Sequence, residues 1–217
     1  MRIHACFNIY NEAEFIEEAI KSVLWADQVI VVDGIFQGFP SRSINSDDNT
    51  IQIVQWLAKK HPKIKLIMMS KPSLGPEKIE AYRNLVPYGD YILRLNGDEI
   101  LGGKVDKIYS YIKSTNYLPL YSIREIIDLG TRVKPGPWQP RLIKNTPDLK
   151  ITSKHLVLTN NFSGYKVGPR NRLTPEEANI DFLYFIHKKE LRNSCRKQQN
   201  KQWLNYYYSH QYKQGII

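Results

Sequence analysis

The sequence has only two cysteines among its 217 residues, Cys6 and Cys195. This number does not support a disulfide framework, so two reduced thiols in a cytoplasm-like compartment are expected. Long apolar runs are also missing, since no stretch approaches the roughly 18 apolar residues of a membrane span. The start of the chain turns polar by Asn8 and predicts no signal peptide. We therefore expect a cytoplasmic protein that is at most peripheral at a membrane surface.

Acidic residues are outnumbered, with 31 Lys+Arg against 21 Asp+Glu and a formal net charge of +10. Most of the excess lies at one end. Residues 187–217 hold seven Lys/Arg and one Glu, whereas residues 1–186 hold 24 basic and 20 acidic residues. A basic chain predicts an anionic partner, which can be a nucleic acid, a membrane surface or a phosphorylated small molecule. Its hydrophobic content of 42% is sufficient for one packed domain.

Apolar runs alternate with amphipathic patterns over about the first 115 residues. The predicted strands there are Ile3 to Tyr10, Val29 to Val32, Ile64 to Met69 and Tyr91 to Leu95. The segments between these strands carry apolar residues at helical spacing or signals for the start of a helix. Strands that alternate with helices in this way predict βαβ units and a mostly parallel sheet with flanking helices. Later strands are predicted at Leu120 to Ile127, Arg141 to Ile143 and Phe182 to Ile186, and a helix from Lys188 to about Tyr208.

Polar clusters follow three of these strands: Asn11-Glu12, Asp33-Gly34 and Asn96-Gly97-Asp98-Glu99. Ligands of parallel sheets bind beyond the carboxyl ends of the strands. Carboxylate and amide oxygens suit Mg²⁺ or Mn²⁺, with Asp98 as the best candidate ligand. The last cluster alone fits an ordinary turn equally well. An acidic edge argues against nucleic acid as the partner.

Several blocks of the sequence resemble family 2 glycosyltransferases with the GT-A fold. The opening blocks are Cys6-Phe7-Asn8-Ile9-Tyr10-Asn11-Glu12, then Trp25 to Asp33, then Ser46-x-Asp48-x-Thr50. Arg83-Asn84 and the run Gly89 to Glu99 look like the block in which that family carries its DxD metal motif. Pro140 to Asn145 is similar to a later block. The order and spacing match over about residues 3–145.

The resemblance implies an α/β domain of GT-A type covering residues 1–217. Residues 1–115 would form a Rossmann-like nucleotide-sugar-binding half, 116–187 a smaller acceptor-side half and 188–217 a basic helical tail. The family pattern places the nucleotide sugar against residues of the strand ends and later blocks: Asn11, Glu12, Asp33, Arg83, Asn96, Asp98 and Arg141. It places the metal on Asp98 and Asn96, with His187 as a third ligand. The competing interpretations are that Asp33 caps a helix, that Arg83 is a surface residue and that His187 is an ordinary histidine at the end of a strand.

The sequence departs from the family pattern in three respects. Residues 34–45 separate Asp33 from the Ser46 block, and this insertion, which carries Phe36 and Phe39, is predicted to reshape or cover the pocket. Asn96 replaces the first Asp of the metal motif, which removes one negative charge. No Glu-Asp pair is evident as the catalytic base. A base must reach the acceptor hydroxyl, so Asp128 and His155 are the predicted catalytic residues, with Glu125 as a third candidate.

The basic tail places Lys188, Arg192 and Arg196 four residues apart, as one stripe on a helix. A solvated surface is the simplest interpretation of this stripe. The functional interpretations are that the stripe contacts the donor diphosphate, a phosphorylated lipid-linked acceptor or an anionic membrane.

Together these features predict a metal-dependent, inverting glycosyltransferase of hexosyltransferase type. The resemblance implies a UDP-linked sugar donor, a glycan, lipid-linked or other hydroxyl acceptor, and no nucleic acid. A binding protein for nucleotide sugars without catalysis is the alternative, favoured by Asn96 and the missing base pair. A sugar nucleotidyltransferase is a weaker alternative, because no glycine-rich phosphate loop follows the first strand. Donor sugar, acceptor and oligomeric state are not determined by the sequence.

Overall fold

The computed structural model describes residues 1–41, 43–73, 75–147, 149, 177–188, 191–192 and 197–205. Its strands are β1 (Ile3–Ile9), β2 (Gln28–Asp33), β3 (Ile64–Met68), β4 (Tyr91–Asn96), β5 (Glu99–Gly103), β6 (Leu120–Asp128), β7 (Val133–Lys144) and β8 (Glu177–His187). Its helices are α1 (Ile16–Lys21), α2 (Thr50–Lys60), α3 (Pro76–Arg83) and α4 (Ile108–Ser114), the last preceded by a 3-10 turn at Val105–Lys107. Residues 197–205 are also helical and are called the C-terminal helix below.

These strands form one sheet in the order β3-β2-β1-β4-β7-β6-β8-β5. The pairs β3–β2, β2–β1, β1–β4 and β6–β8 are parallel, and β4–β7, β7–β6 and β8–β5 are antiparallel. Among the described strands, only β5 and β7 therefore run against the others. The carboxyl ends of β1, β4 and β8 meet at one edge, which we call the upper edge. The predicted α/β class with a mostly parallel sheet and flanking helices is confirmed.

The central strands are mostly apolar because both of their faces are covered. All seven residues of β1 are buried, and its side chains enter two clusters on opposite faces of the sheet. Ile16, Ala19 and Ile20 of α1 pack on one face, and Ile79 and Tyr82 of α3 pack on the other. Continuous apolar runs of this kind are expected for parallel strands between two helical layers.

Two strands differ from the prediction. β5 was not predicted, because it follows the Asn96–Asp98 turn at once and contains the fully buried Glu99 and two glycines. β7 begins at Val133 rather than Arg141 and includes Pro135, Pro137 and Pro140. Only its last residues pair with β4, and register shifts interrupt its pairing with β6. Proline is tolerated where the ladder is irregular or unpaired on one side.

The predicted helix from Lys188 begins later among the described residues. Residue 188 has no regular structure, residue 191 has 3-10 geometry and residue 192 lies in a bend, whereas residues 197–205 are helical. Lys188 and Arg192 therefore do not form one helical stripe. In the described part of the chain, every helix is too short or too polar to cross a membrane.

Candidate functional site

The turn between β4 and β5 is fixed by one buried carboxylate. Glu99 is completely inaccessible and accepts hydrogen bonds from the Asn96 backbone at 2.9 Å and the Asn96 side chain at 3.0 Å. Arg141 Nη2 reaches the same carboxylate at 2.6 Å. Gly97 completes the turn, since a Cβ atom there would lie 2.6 Å from Glu12 Cγ. The turn can therefore approach Glu12 closely only with glycine at this position.

Asp98 projects from this turn to a pair of cationic groups. Its Oδ2 lies 3.2 Å from His187 Nε2 and 2.9 Å from Arg192 Nη2. Burial alone would raise the pKa of Asp98, but the hydrogen bond from His187 and the charge of Arg192 lower it to about 2. Asp98 is thus a buried carboxylate held in its charged form.

His187 stands at the end of β8 between two carboxylates. Its Nδ1 lies 2.7 Å from Glu125 Oε1, on the side of the ring away from Asp98. Burial disfavours the charged ring, but hydrogen bonds to Asp98 and Glu125 raise the pKa of His187 to about 9. At neutral pH the group is therefore an imidazolium that links β4, β6 and β8.

Arg192 joins the ends of β1 and β4. Its Nη2 lies 2.6 Å from Glu12 Oε1, across 180 residues of sequence, and 2.9 Å from Asp98 Oδ2. The side chain is 11% exposed. Burial opposes its charge, but Glu12 and Asp98 raise the pKa of Arg192 above its ordinary value. The acidic edge predicted from the sequence is thus neutralised by a cation from the chain itself.

A cavity of about 290 Å³ opens beside this cluster, at the upper edge. Its polar lining comes from β1, β4, β8 and the segment after β8: Asn8, Glu12, Arg94, Asn96, Asp98, His187 and Arg192. Burial lowers the pKa of the Arg94 guanidinium, which lies in poorly solvated surroundings. The cavity therefore offers two guanidinium groups, Arg94 and Arg192.

A second part of the cavity lining is aromatic. Phe36 and Phe39 of the insertion line it together with Tyr10 and Trp203. The Phe36 and Trp203 ring centroids are 5.2 Å apart, those of Tyr10 and Phe39 are 5.4 Å apart, and Trp203 Nε1 donates to Gln37 O at 3.1 Å. The insertion and the C-terminal helix together thus enclose one side of the cavity.

A buried lysine contacts both this aromatic wall and the end of β1. Lys78 of α3 is fully buried and donates to Ile9 O at 3.0 Å, at the end of β1. Its Nζ also lies 3.9 Å from the centroid of the Phe36 ring. This cation–π contact fixes the position of the insertion relative to the sheet.

Of the residues predicted to bind the nucleotide sugar, Glu12, Asn96 and Asp98 line the cavity. Asn11 is next to it but exchanges hydrogen bonds with Asp47, at 2.7 and 3.0 Å. These geometries do not assign a ligand to any of the residues, so their roles stay predictions.

Three further predicted binding residues do not face the cavity. Asp33 is fully buried, accepts from the Ser46 backbone at 2.9 Å and forms a short hydrogen bond with the Ser46 hydroxyl, and burial raises its pKa. Arg83 lies at the lower edge, where it donates to Asn145 Oδ1 and to the Thr146 carbonyl, both at 3.3 Å. Arg141 holds Glu99 and lies 4.3 Å from the Phe185 ring. This geometry does not support direct contact of these three with a ligand.

Among the described residues, the candidate bases Asp128 and Glu125 do not line the cavity. Asp128 ends β6, where its carboxylate accepts from Gly130 N at 2.8 Å and from Lys188 Nζ at 3.0 Å. Glu125, the third candidate, lies behind the His187 ring. His155 lies outside the described residues.

The residues do not fit the predicted metal. Asp98 and His187 meet, but Asn96 turns its amide nitrogen to Glu99, and Arg192 approaches the same Asp98 oxygen as His187. Across the described ranges, no three His, Cys, Asp or Glu side chains are placed to hold a metal ion. The metal therefore stays a prediction of the family resemblance.

The sequence did not identify Arg94 and Lys78 as residues near the site. Arg94 carries a signal, since it interrupts the apolar run from Tyr91 to Leu95 with a charge. Lys78 carries none, because a lysine within a short helix is typical of a solvated surface. Arg192 was noted only as a member of the basic stripe.

No protein-family model matches the sequence, and no curated protein matches it. Solved structures of TarS from S. aureus are similar to it. TarS 1–349 in complex with UDP-GlcNAc aligns with a TM-score of 0.45 and 20% identity over 63% of this chain and 37% of that chain. The UDP complex of TarS 1–349 aligns with a TM-score of 0.45 and 20% identity over 63% of this chain and 38% of that chain. Another TarS crystal structure aligns with a TM-score of 0.43 and 20% identity over 59% of this chain and 22% of that chain. The chain thus spans between about a fifth and two fifths of the TarS chains, and the bound ligands are those of TarS.

Proposed function

We propose that this protein is a glycosyltransferase that binds a nucleotide-diphosphate sugar in the upper-edge cavity and transfers the sugar to a hydroxyl acceptor. The observation that carries the proposal is the composition of the cavity, with aromatic rings in one part of its lining and two guanidinium groups in another. Aromatic rings suit the face of a nucleobase, and guanidinium groups suit phosphate oxygens. The location beyond the carboxyl ends of parallel strands is also where ligands of such sheets bind.

The chemistry of sugar transfer makes two demands on such a site. The leaving nucleoside diphosphate gains negative charge as the bond to the sugar breaks, and fixed cations in a site of low polarity stabilise that charge. The acceptor hydroxyl must lose a proton to a base. Arg94 and Arg192 meet the first demand. Asp128 and His155 stay the predicted bases, and Asp128 would have to exchange its contact with Lys188 for one with the acceptor.

UDP-linked sugars are the first donors to test, as the family resemblance implies and as the UDP-GlcNAc complex of TarS illustrates for that protein. Inversion at the anomeric carbon is part of the proposal, since a single displacement needs only one base. NMR of the product formed from a donor of known anomeric configuration distinguishes inversion from retention.

The acceptor side of the proposal rests on charge. Lys197 and Lys201 are exposed on the C-terminal helix, whereas Lys188 and Arg192 are engaged by carboxylates. Exposed lysines on one helix suit an anionic lipid surface or a lipid-linked acceptor bearing phosphate.

The proposal is tested by thermal unfolding of the protein with a panel of nucleotide sugars, each with EDTA and with Mn²⁺, followed by an assay for nucleoside diphosphate release. A donor at 100 times its Kd should add about 2.7 kcal/mol of stability, which raises Tm by roughly 5–10 °C for a domain of this size. Donors that leave Tm unchanged across the panel would overturn the proposal. Inorganic sulfate is the matched control for non-specific anion effects.

A binding protein without catalysis is the second candidate. It is favoured by one observation, the pairing of both Glu12 and Asp98 with Arg192, which gives these carboxylates a cationic partner from the chain itself. Donor-dependent stabilisation without nucleoside diphosphate release, over several donors and acceptors, would support this candidate over the enzyme.

A further inference from the structure

We propose that Arg192 is the cation that binds the diphosphate at the Asp98 edge, in place of a divalent metal. This inference rests on the proposed function for the identity of the natural ligand, but its central claim concerns any diphosphate anion. It identifies the bend after β8 as part of the binding site.

The first argument is the position of the guanidinium. Arg192 lies between Glu12 and Asp98, with its Nη2 atom 2.6 and 2.9 Å from their carboxylate oxygens. A metal on Asp98 Oδ2 would have to share this oxygen with a permanent positive charge. His187 Nε2 already lies 3.2 Å from the same oxygen, so a divalent metal there would be a third cationic group and would be repelled by the other two in a buried site. The guanidinium therefore competes directly with a metal for the same position.

The second argument is the hydrogen-bonding capacity that Arg192 still has. A guanidinium carries five N–H donors in a planar fork, and the contacts above use one nitrogen. Arg192 Nε is buried and makes no hydrogen bond with the described residues. Because the side chain lines the cavity, a ligand with several acceptor oxygens can contact the part of the guanidinium that faces the cavity. A diphosphate matches the fork geometry better than a single carboxylate does.

The third argument is the way Arg192 is held. Its partner Glu12 is fixed by a hydrogen bond that the Glu12 backbone N–H donates to Thr50 Oγ1 at 2.7 Å. Its partner Asp98 accepts a backbone hydrogen bond from Lys188 N at 2.9 Å, which ties the segment before Arg192 to the turn. The guanidinium is therefore placed in advance, which lowers the entropy that a ligand must overcome on binding.

The test uses inorganic pyrophosphate and UDP as probes in calorimetric titrations, in EDTA and in Mn²⁺, with the full chain. Wild-type protein should bind pyrophosphate in EDTA with a Kd within about threefold of that in Mn²⁺. Arg192→Ala should weaken pyrophosphate binding by roughly 10- to 100-fold, as expected for a lost charged hydrogen bond. Arg192→Lys should fall between the two, since it keeps the charge but loses the fork.

The matched control is Lys201→Ala, which removes one positive charge from an exposed position of the C-terminal helix. It should leave the pyrophosphate Kd within about twofold of wild type. Thermal unfolding of each variant separates a binding defect from loss of folding, and Arg192→Lys keeps the test valid if Arg192→Ala does not fold.

A reciprocal measurement follows the metal. Mn²⁺ bound to the protein alone, measured by electron paramagnetic resonance, should be weak in wild type and at least several-fold tighter in Arg192→Ala, because Glu12 and Asp98 lose their internal cation. Pyrophosphate binding that vanishes in EDTA, or that is the same in wild type and Arg192→Ala, would overturn the inference. If pyrophosphate binds as expected but no nucleotide or nucleotide sugar binds, the inference stands and the proposed function fails.

Discussion

At the scale of single residues, the buried pair of Glu99 and Arg141 decides the shape of the site without contacting its cavity. Glu99 is reached by three donors, from Asn96 and Arg141. The side chains of Glu99 and Arg141 are 0% and 5% exposed. The pair therefore sets the geometry of the Asn96–Asp98 turn, and through it the position of Asp98.

Glu99→Gln is expected to lower the free energy of unfolding by about 3 kcal/mol, since removing one partner leaves the buried charge of Arg141 uncompensated. Urea denaturation at pH 7 measures the change. Glu17→Gln is the matched control, because the Glu17–Lys21 pair is exposed and should contribute about 0.5 kcal/mol or less. Equal losses in the two variants would contradict the structural role of Glu99.

A second residue-scale prediction concerns pH. Asp90 is buried at the start of β4, where burial raises its pKa but hydrogen bonds from the Arg2 backbone, His4 and the Arg2 side chain lower it overall. A carboxyl with a lower pKa in the folded state stabilises the fold above its unfolded pKa, and this contribution disappears as the pH falls through the folded value.

Asp90→Asn is therefore expected to be less stable than wild type by about 1 kcal/mol at pH 7, with the difference shrinking below roughly pH 4. Urea denaturation of both proteins between pH 7 and pH 2.5 provides the comparison. A difference that stays constant over this range would show that Asp90 acts through packing and not through its charge.

Single residues also mark where sequence reasoning succeeded and failed. The meeting of Asp98, Glu12 and His187 at one edge could be predicted, because polar residues that follow parallel strands meet there, whereas their roles stay predictions. The binding roles expected of Asp33 and Arg141 could not be checked from sequence. The family pattern does not say that Ser46 hydrogen-bonds the Asp33 carboxylate or that Arg141 pairs with Glu99. Contacts between side chains distant in sequence decide these outcomes.

At the scale of elements, the approach of the β4–β5 turn to Glu12 depends on the missing side chain of Gly97. A Cβ atom there would lie 2.6 Å from Glu12 Cγ and 2.9 Å from Glu12 Cβ. Gly97→Ala must move the turn away, and with it Asp98. We expect a loss of 1–3 kcal/mol in stability, as for other overpacked sites, and roughly tenfold weaker binding of UDP or pyrophosphate, by calorimetric titration.

Gly89→Ala is the control for this prediction. Gly89 has a φ of +90°, with open space around the position of a Cβ atom. The substitution should strain the backbone by about 1 kcal/mol and leave ligand binding unchanged. Weakened binding in Gly89→Ala to the same extent would mean that the Gly97 effect reflects general destabilisation.

The aromatic wall gives another element-scale prediction. Trp203→Ala removes the ring that packs on Phe36 and the hydrogen bond to Gln37 O. We expect roughly tenfold weaker UDP binding, since aromatic contacts contribute about 0.5–1.5 kcal/mol beyond their buried area, and little change for pyrophosphate, which lacks a base. Gln202→Ala, exposed on the same helix, is the control. An equal loss of affinity for UDP and for pyrophosphate would show that the nucleobase of UDP does not contact this aromatic wall.

The elements show the same division between what the sequence predicts and what it does not. The alternation from β1 to β4 is readable, because each strand there is a mostly apolar run and helix signals lie between the strands. β5 is hidden, because its first residue is a buried glutamate whose charge is satisfied only by tertiary contacts. The start of β7 is hidden, because prolines in its first half are typical of loops.

At the scale of the whole molecule, the net charge of +10 does not describe the site. Arg141, His187 and Arg192 are paired with carboxylates at the upper edge. Among the described residues of the basic tail, Lys197 and Lys201 are exposed on the C-terminal helix, where we propose that they contact an anionic surface.

A double variant with Lys197→Ala and Lys201→Ala is expected to bind vesicles rich in anionic lipid roughly 30-fold more weakly than wild type, at about 1 kcal/mol per lysine. Co-sedimentation at low salt measures binding, and vesicles of neutral lipid provide the baseline. Lys59→Ala with Lys71→Ala, two exposed lysines elsewhere, is the matched control. Equal effects of the two pairs would assign the binding to overall charge.

The contact between Glu12 and Arg192 spans 180 residues, and this separation has a consequence for synthesis. A chain emerging from the ribosome at about 5–20 residues per second exposes Glu12 long before Arg192 is made. During that interval the carboxylates of Glu12 and Asp98 lack their internal counter-charge, and the cavity lacks Trp203. The nascent protein can therefore form its first strands before Arg192 and Trp203, which complete the cavity lining, have been translated.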